Sequence, residues 1–325
     1  MNNNQERKIL GMDQHDFNIF TKRYGIGLVM VAMFIILSLA SPKFLTVSNI
    51  TNVLSTVALN GVLAMGIVFV ITAEGIDLSI GAMLALASVT IGLILQATGS
   101  ILLACIGAIA MCSLFGFLNG FLIAKFNLFP FVVTLASQLV IRGVGYVMSG
   151  GYSFALANPK FSEIGLGKLF NFIPYPILIL LAISILAYII LHLTKYGRYV
   201  YAVGGNINAA TASGVNVFWT RVGTFIISGF CAGVAGIIMT ARINAAQPNI
   251  GIGYETDAIA ACVIGGTSFS GGISTIPGTF IGIVIIGLIY NGMNLIGISS
   301  YWQIIFKGLL IIGAVMMDNA INKKK

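Results

Sequence analysis

Charge is scarce in this chain: Asp, Glu, Lys and Arg make up 8% of its 325 residues. A soluble domain carries roughly 25%. So few charges cannot cover the surface of a soluble protein of this size, which excludes that class. Histidine occurs only as His15 and His192, which argues against a His-based metal centre. The four cysteines (Cys105, Cys112, Cys231, Cys262) lie in apolar stretches and no pair has CxxC spacing, so neither a disulfide framework nor a metal site is expected. The run Gly265-Gly266-Thr267-Ser268-Phe269-Ser270-Gly271-Gly272 resembles a phosphate loop at a glance. It lacks the GxxxxGK[ST] order and no lysine follows, so it reads as a turn or helix break. No nucleotide site, nucleophile with a base, or paired catalytic carboxylates are found, so no catalytic residue, cofactor or enzyme activity is assigned to the chain. No cleavable signal peptide is evident, because the first 24 residues are polar and charged.

Apolar residues are abundant at 58%, with a mean hydropathy of +1.00, and they come in long blocks. A bilayer core about 30 Å thick needs roughly 20 apolar residues per helix. Blocks of that kind fall at 25–41, 49–72, 79–98, 101–124, 129–148, 174–193, 222–241, 256–269, 276–296 and 301–318. The pattern predicts an all-α polytopic membrane protein of about ten helices. The eighth block is short and Gly-rich, so a broken or re-entrant helix is one reading of it. Glycine is high at 39 residues. The pairs Gly116/Gly120, Gly229/Gly233 and Gly278/Gly282 have GxxxG spacing, which lets helices approach closely.

The net charge of +8 reads as topology, because the basic residues sit at block ends rather than in a nucleic-acid patch. Residues 1–24 form a polar disordered tail and 319–325 a second tail around a membrane domain at 25–318. With the first tail inside, the inside loops hold Lys125, Lys195, Arg198 and Arg221, then Lys323, Lys324 and Lys325. The outside loops hold Lys43, then Lys160 and Lys168 with Glu163, then Arg242 with Glu255 and Asp257. Both termini are therefore expected to be cytoplasmic. Two loops are long, 149–173 outside and 194–221 inside, and each is a candidate for meeting a soluble partner.

The chain contains two related halves. Met65-Gly66-Ile67 to Thr72-Ala73, Glu74 and Asp77 match Ala235-Gly236-Ile237 to Thr240-Ala241, Glu255 and Asp257. Asn119-Gly120 then matches Asn291-Gly292, and Gln138 to Arg142-Gly143 matches Gln303 to Lys307-Gly308. The second half starts an odd number of spans after the first, so the halves are inverted, an architecture of transporters.

Gln138 and Arg142 share a helix face, as do Gln303 and Lys307. Charges in hydrocarbon are costly, so these face the bundle or a wet cavity. They are read either as the lining of a solute path or as interhelical bonding and snorkelling groups. Asn60, Asn119, Asn291 and Asn294 are further path candidates, with packing as the alternative. Glu74 and Asp77 lie in a short turn on the basic side. Ser79 and Asp77 suit a helix N-terminus, and Glu74 is free to pair with Lys125 or with a partner.

Several motifs now resemble one family. They are Ala73-Glu-Gly-Ile-Asp-Leu-Ser-Ile-Gly81, Tyr196 to Asn206 (YGRYVYAVGGN), Ala209-Ala210 with Ser213-Gly214, Ala245-Ala-Gln-Pro248, Gly253 to Ala261 (GYETDAIAA), and Gly265-Gly-Thr-Ser268 with Gly271-Gly272. Together they resemble the ribose-type ABC sugar permeases from about residue 45 to the end. The resemblance implies the ten-helix importer fold and a permease that forms a transport path without its own ATPase site. It implies as partners a second permease copy or paralogue, a cytoplasmic ATPase that uses ATP, an external solute-binding protein and a sugar-like substrate, with no nucleic acid. It places the chain in a bacterial inner membrane. The stretch Asn206, Asn208, Ala209, Ala210 to Gly214 is similar to the ATPase-docking loop whose pattern elsewhere is EAAxxxG, with Asn208 in place of Glu. Glu74 and Asp77 join it as coupling candidates, and Lys160, Lys168, Arg242 and Glu255 are candidates for docking the binding protein. Asn206 or Asn208 would cap a short helix there and Gly214 would stop it. The rival reading is an ion-coupled secondary transporter, which would also show inverted repeats.

Overall fold

The computed structural model describes residues 14–156 and 158–322. The expected tails at 1–13 and at Lys323, Lys324 and Lys325 lie outside the described residues. Residues 14–24 do not form a disordered tail, because α1 runs over Gln14–Ala40. A helix already nucleated by its apolar part adds further turns at one hydrogen bond per residue.

Cap chemistry sets the next boundaries. Thr46 caps α2 (Val47–Thr72) by accepting from Asn49 N, and Ser100 caps α4 (Ile101–Phe126) by accepting from Leu103 N. Between them lies α3 (Ile80–Thr98), which ends at Gly99 in the left-handed conformation. α5 (Pro130–Ser149) has Pro in its first turn and ends at left-handed Gly150. The expected loop 149–173 is structured. It holds β1 (Phe154–Ala155), α6 (Pro159–Leu166) and a hairpin of β2 (Lys168–Leu169) with β3 (Ile173–Pro174). α7 (Tyr175–Tyr188) continues as a π-helical turn at Ile189–Leu193. Next come α8 (Lys195–Gly205), α9 (Ile207–Ala212), α10 (Val217–Ile243), β4 (Ala245–Ala246), α11 (Tyr254–Ile264), α12 (Ile276–Leu295) and α13 (Ser300–Asn322).

Seven of these helices are long and apolar enough to cross a membrane: α2, α3, α4, α5, α7 with its π turn, α10 and α12. Gly25–Ala40 of α1 and Ser300–Gly313 of α13 are shorter apolar stretches. The eighth block differs from its expected limits. α11 has 11 residues, about 16 Å at ~1.5 Å per residue, roughly half of a 30 Å hydrocarbon core. An extended segment, 244–253, leads into it.

The core is built on α2, buried without a break from Val57 to Thr72. A helix apolar all round belongs in such a place. All three GxxxG pairs make backbone contacts. Gly116 and Gly120 of α4 face the backbone of Phe225 and Val222 on α10, and Gly229 and Gly233 of α10 face Cys112 and Ile109 on α4. Gly278 and Gly282 of α12 face Gly265 and Ala261 at the end of α11. α5 and α13 lie at the perimeter, with side chains such as Leu139, Val147, Ile304 and Leu309 exposed.

Candidate functional site

Two stretches of non-helical backbone approach each other inside the bundle. The first is 73–79, between α2 and α3. The second is 244–253, between α10 and α11. Its course is marked on α3: Ala246 packs on Gly92, Gln247 N donates to Ser88 Oγ, and Gly251 meets Gly81. From Gly92 to Gly81 is about 16 Å along the α3 axis at ~1.5 Å per residue. The segment therefore runs from one end of the bundle to its middle, tied at its start by the β1–β4 pair. Irregular backbone at that depth is tolerated only where protein or a wet cavity satisfies it.

Asp77 lies in the first segment and is fully buried. Its Oδ1 accepts from Ser79 N at 3.0 Å and from Ser79 Oγ, and its Oδ2 accepts from Ser228 Oγ at 2.7 Å. Asn119 Nδ2 donates to Ser79 Oγ at 3.0 Å. Thr134 Oγ1 lies 3.1 Å from the Ile76 carbonyl. Asp77 is thus an internal anchor with every bond inside the chain, which removes it from a surface that meets an ATPase. Ser79 precedes α3 without capping it, since its hydroxyl goes to Asp77. The positive end of α3 favours the carboxylate beside it.

The second segment is held by cations. Arg142 Nη1 donates to Pro248 O at 3.0 Å and to Ile250 O. Lys307 Nζ donates to Gly253 O and pairs with Asp257 Oδ1 at 2.7 Å. Tyr290 Oη donates to the same Asp257 Oδ1 at 2.8 Å. Glu255 Oε1 accepts from Gly253 N at 3.1 Å. Glu255 and Asp257 sit in the first turn of α11, again at a positive helix end. Both are buried, so Glu255 and Asp257 do not belong to an exposed outer loop, and Glu255 is not free to dock a partner. Arg242 is half-buried, with Nη1 reaching Thr56 Oγ1 at 3.4 Å. Lys160 and Lys168 are exposed on α6 and β2.

The two segments meet where Gly81 abuts the Gly251 carbonyl and Glu255 Oε2 with no space for a side chain. The N-termini of α3 and α11 thus converge in mid-bundle. Arg142 Nη2 and Glu255 Oε2 are buried there without a hydrogen-bond partner, which leaves one free donor and one free acceptor at the crossing. Gln138 lies on α5 between Thr134 and Arg142 at steps of four residues, so one helix face carries a group for each segment and an amide between them. That Thr–Gln–Arg ladder was legible in the sequence and was missed at Thr134. Ser79 is legible beside Asp77 at the start of a helix, whereas Ser228 and Tyr290 carry no such signal.

The remaining path candidates divide. Asn291 and Asn49 exchange side-chain hydrogen bonds at 2.7 and 3.1 Å. Gln303 Nε2 donates to Asn294 Oδ1 at 2.8 Å and to Ile298 O at 3.1 Å. Asn60 is buried on α2 with its Oδ1 unpartnered. Asn291, Asn294 and Gln303 thus tie α12 and α13 to their surroundings rather than joining the crossing.

At the opposite end of α10 from Arg242, α8 runs into α9, which is the expected short helix. Asn206 Oδ1 accepts from Ala209 N at 3.0 Å, and Gly214 ends it with φ +78°. Asn208, Ala209, Thr211 and Ala212 are exposed, whereas Ala210 is buried against the chain itself. A partner that docks on α9 therefore meets Asn208 and Ala209 and not Ala210. Glu74 is exposed in the left-handed conformation at φ +61° and forms no ion pair with Lys125 among the described residues. Among the described residues no group of three or more metal-ligating side chains exists.

These features define a polytopic membrane protein with two broken segments crossing inside its bundle. The family described as branched-chain amino acid transport system / permease component matches residues 49–315, and the chain belongs to it. The chain is 41% identical over 305 residues to the ribose import permease protein of Bacillus subtilis (strain 168), covering 93% of this chain and 94% of that one. It is 39% identical over 315 residues to the D-allose transport system permease protein of Escherichia coli (strain K12), covering 95% of each. It is 34% identical over 303 residues to the L-arabinose transport system permease protein of the same strain, covering 93% of this chain and 92% of the relative. The resemblance to ribose-type sugar permeases therefore holds. No solved structure matches the chain.

Proposed function

We propose that this chain is the membrane-spanning subunit of an ATP-binding cassette importer for a monosaccharide of the ribose class. It has no ATPase site of its own and needs no cofactor. Its partners are a cytoplasmic ATPase, a second permease copy or paralogue, and an external sugar-binding protein. The observation that carries the reading is identity of 34–41% along nearly the whole chain to permeases named for ribose, allose and arabinose. A capped small-residue helix at 207–212 supports the ATPase contact. The chain makes ten passages of a bacterial inner membrane, with 244–253 and α11 together forming the eighth, and both termini are cytoplasmic. Gln138 and Arg142 at the crossing, and Lys307 beside it, are the groups that act on the solute path; Lys160 and Lys168 face the binding protein.

The test is purification of the chain from its native membrane, followed by reconstitution in liposomes with the proteins that accompany it. Uptake of D-ribose, D-allose or L-arabinose that requires ATP and a co-purifying ATPase is expected. Uptake by the lone chain driven by an ion gradient would overturn the proposal in favour of a secondary carrier. Ala209→Arg should abolish ATPase recovery while the permease still inserts.

A further inference from the structure

The end of α8 and the glycine turn after α11 meet backbone to backbone. A side chain at Gly204 would strike the Thr72 carbonyl and Gly272 N, and Gly272 N already donates to Thr72 O at 2.9 Å. Gly271 and Gly272 have φ of +74° and +72°, and each faces Gly204 or Gly205 with no room for a Cβ. Only glycine serves at such positions. Around this contact Tyr201 Oη donates to Ser274 O at 2.9 Å. Ser274 Oγ lies 3.2 Å from Tyr201 Oη and 2.6 Å from Thr72 Oγ1. His192 Nε2 accepts from Ile276 N at 3.4 Å, and its Nδ1 lies 3.4 Å from Tyr201 Oη.

Three elements are therefore joined at one point. α8 runs into α9 with only Asn206 between them. Thr72 is the last residue of α2, directly before the first broken segment. The glycine turn follows α11, which the second broken segment feeds. Backbone packed against backbone cannot absorb a displacement by changing rotamers, and packed contacts switch between arrangements rather than deform smoothly.

We propose that this joint, Gly204–Gly205 on Gly271–Gly272 with the Tyr201–Ser274–Thr72 hydrogen bonds, transmits movement of α9 to both broken segments, with Tyr201 as its positioning residue. The inference rests on α9 being the ATPase contact. It assigns no contact with solute to Tyr201.

The experiment uses the complete transporter in liposomes, with ATP hydrolysed and labelled sugar taken up measured together. Tyr201→Phe keeps the ring and removes the hydroxyl. Uptake per ATP should fall about fivefold, the effect of one net hydrogen bond, while ATPase recovery stays at the wild-type level. Thr72→Val should act in the same direction, and the double variant should add little to either single change. Wild-type uptake per ATP in both variants would overturn the inference while leaving the importer reading intact. So would a strictly proportional loss of hydrolysis and uptake, which marks a role in folding alone. Uptake by the wild-type chain without any ATPase would remove the importer reading and the inference with it.

Discussion

The two broken segments solve the same problem with different chemistry. Both carry unpaired backbone to mid-bundle, and both lead into a helix whose positive end faces a carboxylate. The first, 73–79, is short and uses hydroxyls and an amide: Ser79, Ser228 and Asn119 gather around Asp77, and Thr134 reaches Ile76 O. The second, 244–253, is longer, contains Pro248, and uses cations: Arg142 on two carbonyls and Lys307 on Gly253 and Asp257. A longer stretch exposes more carbonyls than nearby hydroxyls can reach, and a guanidinium or ammonium brings several donors on one long stem. The two cations that match in the sequence, at the ends of the Gln138–Arg142 and Gln303–Lys307 pairs, also differ in use. Lys307 holds the end of the second segment at Gly253 and Asp257, whereas Arg142, from the helix whose Thr134 reaches the first segment, holds the middle of the second at Pro248 and Ile250.

If the second segment depends on charge and the first does not, the largest effect should follow Lys307→Met. It leaves Asp257 buried without its counter-charge, with only the Tyr290 hydroxyl on it, a loss of about 3–5 kcal/mol, to be read as a fall in thermal midpoint in detergent. Asp257→Asn in the same chain should recover much of that loss. Arg142→Met removes two charge-assisted bonds to backbone and should destabilise by about 3 kcal/mol. Arg142→Lys should restore only part of it, because an ammonium lacks the planar fork. Asp77→Asn keeps a side chain that the surrounding hydroxyls can still bond and should destabilise by about 1 kcal/mol. An Asp77→Asn effect as large as that of Lys307→Met would break the distinction.

A fourth test concerns the side from which each segment enters, and should leave stability unchanged. In a background without the native cysteines, Glu74→Cys and Asn208→Cys should resist an impermeant thiol reagent in intact cells, whereas Asn171→Cys in the β2–β3 turn should label readily. Labelling of Glu74→Cys and Asn171→Cys alike would put both segments on one side and end the inverted relation.

Much of the architecture was readable in the chain because it depends on local properties. Apolar blocks marked the long helices, GxxxG spacing marked the close crossings, and Asn206 with Gly214 marked α9. The second broken segment escaped notice because 244–253, with its Asn, Gln, Pro and Gly residues, has the composition of an exposed loop. Glu255 and Asp257 read as part of that loop for the same reason. The sequence leaves Ala210 on the docking face because a helix this short has no apolar stripe to show which side packs.

Sequence alone determined that the chain spans a membrane and which family it belongs to. Both follow from summed transfer free energies and from long matching motifs, which survive without knowledge of contacts. Tertiary structure alone decided the depth of each segment, and with it which carboxylates are buried and which residues of α9 face outward. Depth is not a property of a segment's own composition. Residues 244–253 reach the middle of the bundle because Arg142 and Lys307, far away in the chain, supply the donors that make unpaired carbonyls tolerable there.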